Sequence, residues 1–425
     1  MKTIVGIATP IGFGGVGIVR LSGAQALSIT GKMFNRPLRP RHATLGVLSG
    51  KNFTDTVLAI YFPAPHSFTG EDVVEIQAHG GWHLINRIMQ TAIEYGATPA
   101  EPGEFTRIAV LNNKMTLSQA ESTLDLINAE SDAELQNASR LVSGELQTLL
   151  ATVENDLIAA RAQIDAYLDY PEDLESPAVP MEPINRAKAT IEQLLSTASH
   201  GQMIKNGINV CIIGCPNAGK SSLFNALIGD NRSIVTDIAG TTTDVITEKI
   251  TYQGVKINLI DNAGIRDDAA SLIEAQGIAR AKAILHEADI LLIVVDASTR
   301  QMVDFPRDKK HLIIYNKSDL CPDTPSYVIA VSAKTGKNIE LILKTVVEMA
   351  TRTAPTGSMI NLTNERQTNL LKQAHDLLAE INATAPLDQI AANITLALSY
   401  IGKITGTNVD ERTLDEIFSK FCLGK

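Results

Sequence analysis

Gly214-Cys215-Pro216-Asn217-Ala218-Gly219-Lys220-Ser221 has the spacing of a phosphate-binding loop, G-x-x-x-x-G-K-S. The glycines of such a loop let backbone N–H groups wrap phosphate oxygens. Lys220 is placed to reach the β- and γ-phosphates, in both binding and catalysis. The Ser221 hydroxyl, with Ser222 behind it, is placed to bind Mg²⁺. Asp261-Asn262-Ala263-Gly264 comes next; its carboxylate suits Mg²⁺ through water, and the Gly264 N–H suits a γ-phosphate. Asn316-Lys317-Ser318-Asp319 supplies a carboxylate that can accept two hydrogen bonds from the guanine N–H edge, a pair that adenine lacks. Ser332-Ala333-Lys334 would close over the base. In this order and spacing the motifs specify GTP over ATP. Gly240-Thr241-Thr242 lies where a switch loop belongs, and Thr242 is the expected second Mg²⁺ ligand.

Ile265 follows Gly264, where Ras-like enzymes place a Gln that orients water. An aliphatic side chain cannot position water, so another group must, or hydrolysis waits for a partner. Glu274, ten residues beyond Gly264, is the best acidic candidate.

The elements that carry these motifs follow from periodicity. Residues 207–352 alternate strand and helix patterns, as a mostly parallel α/β sheet requires. Ile208–Ile213 reads as the strand before the phosphate loop and Ser221–Ile228 as the helix after it. Val255–Ile260, Leu312–Tyr315 and Val328–Val331 read as the strands before the other three motifs. Residues 1–116 read as α+β, with strands near Ile4–Ala8, Gly17–Leu21, Val57–Phe62 and Val73–Gln77 and a helix near Trp82–Tyr95. Beyond them Ser118 and Glu121 suggest a capping box. A stripe from Leu135 to Leu168 predicts one helix of about ten turns, roughly 50 Å long. Residues 184–199, 363–384, 388–403 and 411–421 also read as helical. The expected organisation is an N-terminal domain (1–116) and a helical domain in two parts (117–206 and 353–425), with the GTPase domain (207–352) inserted between the parts.

Composition narrows the class. The chain has 425 residues, 44% of them hydrophobic, enough for several cores. Its net charge of −10 argues against a protein coated in basic charge that grips nucleic acid non-specifically. Aromatic content of 4%, with one Trp, leaves little for stacking platforms. Cys211, Cys215, Cys321 and Cys422 form no CxxC pair, which fits reduced thiols in the cytoplasm. The first residues show no signal-peptide pattern, and no apolar run reaches the ~20 residues of a membrane span. Gly12-Phe13-Gly14-Gly15-Val16-Gly17 matches G-x-G-x-x-G. A dinucleotide site needs a helix after the glycines, and Ile18-Val19-Arg20-Leu21 reads on as strand instead.

The whole chain resembles the MnmE (TrmE) family of tRNA-modification GTPases. The matching segments are ATPIGFGGVGIVRLSG (8–23), FTGEDVVEIQAHGG (68–81), PGEFTRIAVLNNK (102–114), LSQAE (117–121), TDIAGTTTD (236–244) and FCLGK (421–425). The resemblance implies a homodimer joined through N-terminal domains and a site there for a reduced folate, 5-formyl- or methylene-tetrahydrofolate. It implies an FAD-dependent partner, MnmG (GidA), with the FAD on that partner. The two together would add a carboxymethylaminomethyl-type group to C5 of the wobble uridine of certain tRNAs. Arg20, Glu75, Lys114 and Lys425 match the family's folate contacts, and Cys422 its near-terminal thiol. Asn217, Thr236, Ile238 (through its carbonyl) and Thr241 match a K⁺ site. The loop Thr236-Asp237-Ile238-Ala239-Gly240-Thr241-Thr242 as a whole would contact GTP, and Glu274 matches the catalytic Glu. Thr243, Asn262, Arg107 and Thr116 depart from the family pattern. The competing reading is a regulatory or ribosome-assembly GTPase of the Era or EngA kind, without folate chemistry; such proteins lack both terminal motifs.

Overall fold

The computed structural model describes all residues except 1, 171–178, 230–245, 262–284, 322–324, 326–327, 352–359, 423 and 425. The elements of the N-terminal region are β1 (Ile4–Ile7), β2 (Phe13–Ser22), α1 (Ala26–Met33), β3 (Thr44–Gly50), β4 (Phe53–Phe62), β5 (Val73–Gly81), α2 (Trp82–Glu94), β6 (Thr98–Pro99) and α3 (Glu104–Leu111). Then come α4 (Leu117–Ile127), α5 (Asp132–Val142), α6 (Glu145–Asp169), α7 (Met181–Ser196) and α8 (Ala198–Asn206). Next are β7 (Ile208–Gly214), α9 (Lys220–Ile228), β8 (Ile246–Tyr252), β9 (Val255–Asp261), β10 (Ile290–Asp296), β11 (His311–Asn316), β12 (Ile329–Ala330) and α10 (Ile339–Thr351). The chain closes with α11 (Glu365–Ala379), α12 (Leu387–Thr405) and α13 (Glu411–Phe418). It forms two compact units, one of residues 1–124, 146–154 and 386–425, the other of residues 125–145 and 155–385.

The first unit is built on a six-stranded sheet in the order β3-β4-β5-β2-β1-β6, antiparallel except for the β1–β6 pair. Alternate residues Val19 and Leu21 of β2 and Val74 and Ile76 of β5 turn inward, where Ile29 of α1 and Ile85 and Ile88 of α2 meet them. This is the half-buried pattern of a sheet with helices on one face. Through its G-x-G-x-x-G segment the chain runs directly into β2, with no helix after the glycines, so the geometry a dinucleotide fingerprint needs is absent here.

In the second unit the sheet order is β12-β11-β10-β7-β9-β8, parallel throughout except for the β8–β9 hairpin. Its central strands read as unbroken apolar runs because both faces are covered. Ile290, Leu292 and Val294 of β10 pack on one side with Leu223 of α9 and Ile342 of α10. Leu291, Ile293 and Val295 pack on the other with Phe305 and Tyr315.

Two helical expectations are corrected. The stripe from Leu135 to Leu168 does not form one helix; it is divided between α5 and α6. Gly144, at φ +94°, takes the left-handed conformation that ends one helix and starts the next, and its N–H donates to the Leu141 carbonyl at 3.2 Å. The Arg140–Glu145 ion pair then bridges the break. The capping box at the start of α4 is made by Thr116 and Gln119, not by Ser118 and Glu121. Gln119 N–H donates to Thr116 Oγ1 at 3.3 Å, and Thr116 N–H to Gln119 Oε1 at 2.9 Å. Ser118 lies inside the helix and is buried.

Candidate functional site

In an open parallel sheet, ligands bind beyond the carboxyl ends of the strands, where the strand order reverses. Here the order reverses at β7, with β9 on one side and β10 on the other. Beyond β7, residues 215–219 turn into α9, whose N-terminus offers unpaired N–H groups and a positive dipole end to an anion. Gly219 sits at φ +88°, and a Cβ there would collide with Asn316 Nδ2, so the close approach of the two loops requires a glycine. The Lys220 ammonium donates to the Gly214 and Cys215 carbonyls at 3.1 and 3.2 Å, folded over the loop it belongs to. Ser221 and Ser222 are exposed at the start of α9.

Asp261 ends β9, buried, beside Ile212 of β7 in register. Burial first, and the Asp261 charge second, push the Cys211 thiol up to about 12, so it remains an uncharged packing group. Asp261's oxygen-donor partner for a divalent cation would be the Ser221 hydroxyl. A carboxylate and a hydroxyl beside a phosphate loop are the donor set that Mg²⁺ prefers.

The base-recognition loops are tied to the phosphate loop by hydrogen bonds. Asn316, at the end of β11, is buried and donates through Nδ2 to the carbonyls of Ala218 (3.1 Å) and Gly219 (3.4 Å). Its Oδ1 accepts from the Ala333 N–H at 3.1 Å. Lys317 Nζ donates to the Asn217 carbonyl at 2.8 Å. Asp319 is exposed, and the Ser332 hydroxyl beside it holds its carboxyl below the usual carboxylate range, with the nearby Lys334 charge adding to the effect. The group is thus an ionised acceptor at neutral pH. The structure brings Asn217, Ala218, Gly219, Lys220, Ser221, Asp261, Asn316, Lys317, Asp319, Ser332, Ala333 and Lys334 to one end of one sheet. Thr236, Asp237, Ile238, Ala239, Gly240, Thr241, Thr242, Asn262, Ala263, Gly264 and Glu274 lie outside the described residues.

Sequence reasoning missed one residue in this group. Asp296 ends the apolar strand β10, and its Oδ2 accepts from Lys317 Nζ at 2.7 Å. Its Oδ1 accepts from the Ser298 N–H (2.9 Å) and hydroxyl (2.6 Å). Lys317 first, then Ser298, draw its carboxyl down to about 2. The available signal was an acidic residue closing an otherwise wholly apolar run.

The candidates in the first unit are arranged differently. Arg20 on β2 faces Glu75 on β5 in register, and the two form an ion pair, with Nε and Nη2 at 2.9 and 2.8 Å from Oε1. The guanidinium also stands 5.4 Å from the Phe68 ring centre and 5.7 Å from that of Phe105. Lys114 is turned to the Pro65 carbonyl at 2.9 Å. The C-terminal segment reaches this sheet: Gly103 N–H donates to the Cys422 carbonyl at 3.4 Å, and Gly424 lies against Gly6, the residue of β1 in register with Arg20. Cys422 is an exposed free thiol. Lys425 lies outside the described residues.

Comparison with known proteins matches two family descriptions. Residues 3–114 match the "GTP-binding protein TrmE N-terminus" and residues 117–422 the "MnmE helical domain". The chain is 37% identical over 454 residues to the tRNA modification GTPase MnmE of Streptococcus pneumoniae (strain Hungary19A-6), covering all of this chain and 98% of that one. It is 37% identical over 450 residues to that of Dichelobacter nodosus, covering 100% and 99%. Among solved structures, the G domain of the T. maritima FeoB iron transporter is similar to 34% of this chain over 98% of its own, at 28% identity and a TM-score of 0.25. Era in complex with MgGDPNP and nucleotides 1506–1542 of 16S ribosomal RNA is similar to 42% of this chain over 68% of its own, at 23% identity and a TM-score of 0.27.

Proposed function

The chain belongs to the MnmE family of tRNA-modification GTPases, and we propose that it uses GTP hydrolysis to drive addition of a carboxymethylaminomethyl-type group to C5 of the wobble uridine of certain tRNAs. GTP hydrolysis and a part in tRNA modification follow from membership alone. The observation that best supports the GTP site is the convergence of three motif loops at the carboxyl ends of β7, β11 and β12, with Asp261 ending β9 at the same edge and Asn316 and Lys317 bonded to the phosphate loop.

In this reading Asp319 accepts the guanine N–H edge and Ser332, Ala333 and Lys334 cover the base. Lys220 leaves the loop carbonyls for the phosphates, where its charge also stabilises the transition state. Ser221 and Thr242 would hold Mg²⁺, with Asp261 acting through water, and the ion would supply positive charge to offset that of the phosphates. Asn217, Thr236, the Ile238 carbonyl and Thr241 would supply oxygens suited to K⁺, whose charge would replace that of an arginine finger. Glu274 orients the attacking water.

The first unit is assigned a reduced folate. The Glu75 pair engages two of the five guanidinium N–H groups of Arg20, and the rest suit a ligand carboxylate. Lys114 and the C-terminal Lys425 add charge of the same sign. The folate would supply the one-carbon unit, and Cys422 is an exposed thiol on the terminal segment. The assigned domains are 1–116, the helical parts 117–206 and 353–425, and the GTPase domain 207–352. The active species is a cytoplasmic homodimer working with the FAD-bearing MnmG partner on tRNA. Among the described residues no helix is long and apolar enough to cross a membrane. Mass analysis of wobble uridines from a deletion strain, complemented by the wild-type chain and by a Lys220→Ala chain, tests the proposal. The modification should vanish on deletion and return only with the wild type; an unchanged nucleoside profile would reject it.

A further inference from the structure

Two residues at the nucleotide end of the second sheet hold a backbone conformation that L side chains rarely adopt. Asn217 of the phosphate loop has φ +65° and Lys317 of the base loop φ +64°. Such conformations persist where surrounding contacts hold them. The contact that joins the two is the bond from Lys317 Nζ to the Asn217 carbonyl. A lysine on a flexible four-carbon stem does not fix its own ammonium. Here Asp296 fixes it. Asp296 pairs in register with Asn316 across β10 and β11, so its carboxylate stands beside the next residue, Lys317. The Asp296 side chain is only 13% exposed, and Ser298 engages one oxygen, leaving the other for the ammonium.

We infer that Asp296 is a positioning residue for guanine-nucleotide binding: it anchors Lys317 so that the ammonium holds the Asn217 carbonyl and keeps the phosphate loop in its binding shape before nucleotide arrives. The inference rests on the GTPase reading and extends it to a residue outside the nucleotide motifs. The low-lying carboxyl of Asp296 keeps the anchor charged throughout the physiological range. Asparagine cannot replace it. An amide has one oxygen, which can accept from Ser298 or from Lys317 but not both, and its NH₂ would then face the other donor.

The test is release of a fluorescent GDP analogue from the full chain, followed by stopped flow in Mg²⁺, for wild type, Asp296→Asn, Lys317→Met and the double variant. Loss of a charge-assisted contact should speed release roughly tenfold in Asp296→Asn. Because Asp296 acts through Lys317, the double variant should release no faster than Lys317→Met alone. A merely structural role would instead give multiplying effects, the signature of independent sites. Multiplying effects, or wild-type release from a folded Asp296→Asn chain, would overturn the inference. If Asp296→Asn does not fold, Ser298→Ala decides: release a few-fold faster supports the anchor, and unchanged release rejects it. A wild-type chain that bound no GDP would overturn the GTPase reading together with this one.

Discussion

In the second sheet Asp261, Asp296 and Asn316 stand at the carboxyl ends of parallel strands, whereas in the first sheet Arg20 and Glu75 lie within antiparallel strands and face each other. The difference sets what each region can offer a ligand. A strand end leads into a loop, so its polar side chain meets other loops and a helix N-terminus, where anions bind. A residue within an antiparallel strand meets its cross-strand neighbour first, and opposite charges in that position pair. The second sheet therefore presents a site assembled from backbone and side-chain donors. The first presents an ion pair flanked by Phe68 and Phe105, with the C-terminal segment beside it. Charge in the first region is paired across neighbouring strands, whereas in the second it is spread over loops that meet at the strand ends, as in the Asp296–Lys317 pair.

The largest expected effect tests whether the strand-end site hydrolyses GTP without a Gln after Gly264. If a K⁺ ion bound by Asn217 and the 236–242 loop supplies the missing charge, GTP hydrolysis should be faster in K⁺ than in Na⁺ at equal ionic strength. A ratio approaching ~10³ would match the contribution of an arginine finger. Glu274→Ala should slow turnover while sparing GTP affinity. Equal steady-state rates in the two salts would remove the cation from the mechanism.

Next in size is base choice. Asp319→Asn removes an ionised acceptor pair for guanine and should weaken GTP on the order of 10²-fold, while improving xanthosine nucleotides. A titration giving unchanged GTP affinity would break the assignment.

The phosphate-loop and base-loop residues behind these predictions were legible in the sequence, and the reason is physical; the 236–242 loop and Glu274 lie outside the described residues. The phosphate, Mg²⁺ and base motifs depend on local backbone geometry, so their spacing survives as a pattern. Parallel strands buried on both faces also announce themselves as apolar runs, as β7 does, although the equally apolar β10 was passed over. What was not legible depends on contacts far apart in sequence or on a single backbone angle. The Arg20–Glu75 pair joins residues 55 apart. Asp296 and Lys317 meet only because β10 and β11 are neighbours. Gly144 breaks a stripe whose periodicity runs on regardless. The strand β3 and the short helices α1 and α3 were passed over because each is brief and mixed in pattern, and neighbours rather than propensity stabilise them.

A smaller effect sharpens the contrast from the first sheet. Arg20→Ala should weaken binding of 5-formyltetrahydrofolate roughly tenfold or more in calorimetry, because it removes donors for the ligand and leaves Glu75 as an uncompensated carboxylate. Glu75→Gln, which keeps the shape and frees the guanidinium, should weaken it less. If both variants bind like the wild type, the paired arrangement is structural and the folate assignment fails.

The smallest effect is a pH dependence that belongs to the second sheet. The Asp296 carboxyl lies at about 2 in the folded chain, against an ordinary value of 3.8, because Lys317 and Ser298 hydrogen-bond its ionised form. A carboxylate whose folded pKa is depressed binds fewer protons folded than unfolded between those two values. Its stabilisation is therefore fully present above about pH 4 and is lost as pH falls from about 4 to about 2. The amide of an Asp296→Asn chain cannot ionise, so in that variant the component is missing at every pH. The urea midpoint of the variant should fall below that of the wild type at pH 6, and the gap should narrow as both are taken down through pH 4 towards 3. The narrowing should shrink in a Lys317→Met background, where the first cause of the depressed value is gone and only the Ser298 donors remain. A gap that stays constant with pH would mean that Asp296 contributes by packing rather than by charge, unlike the charge pair of Arg20 and Glu75 in the first sheet.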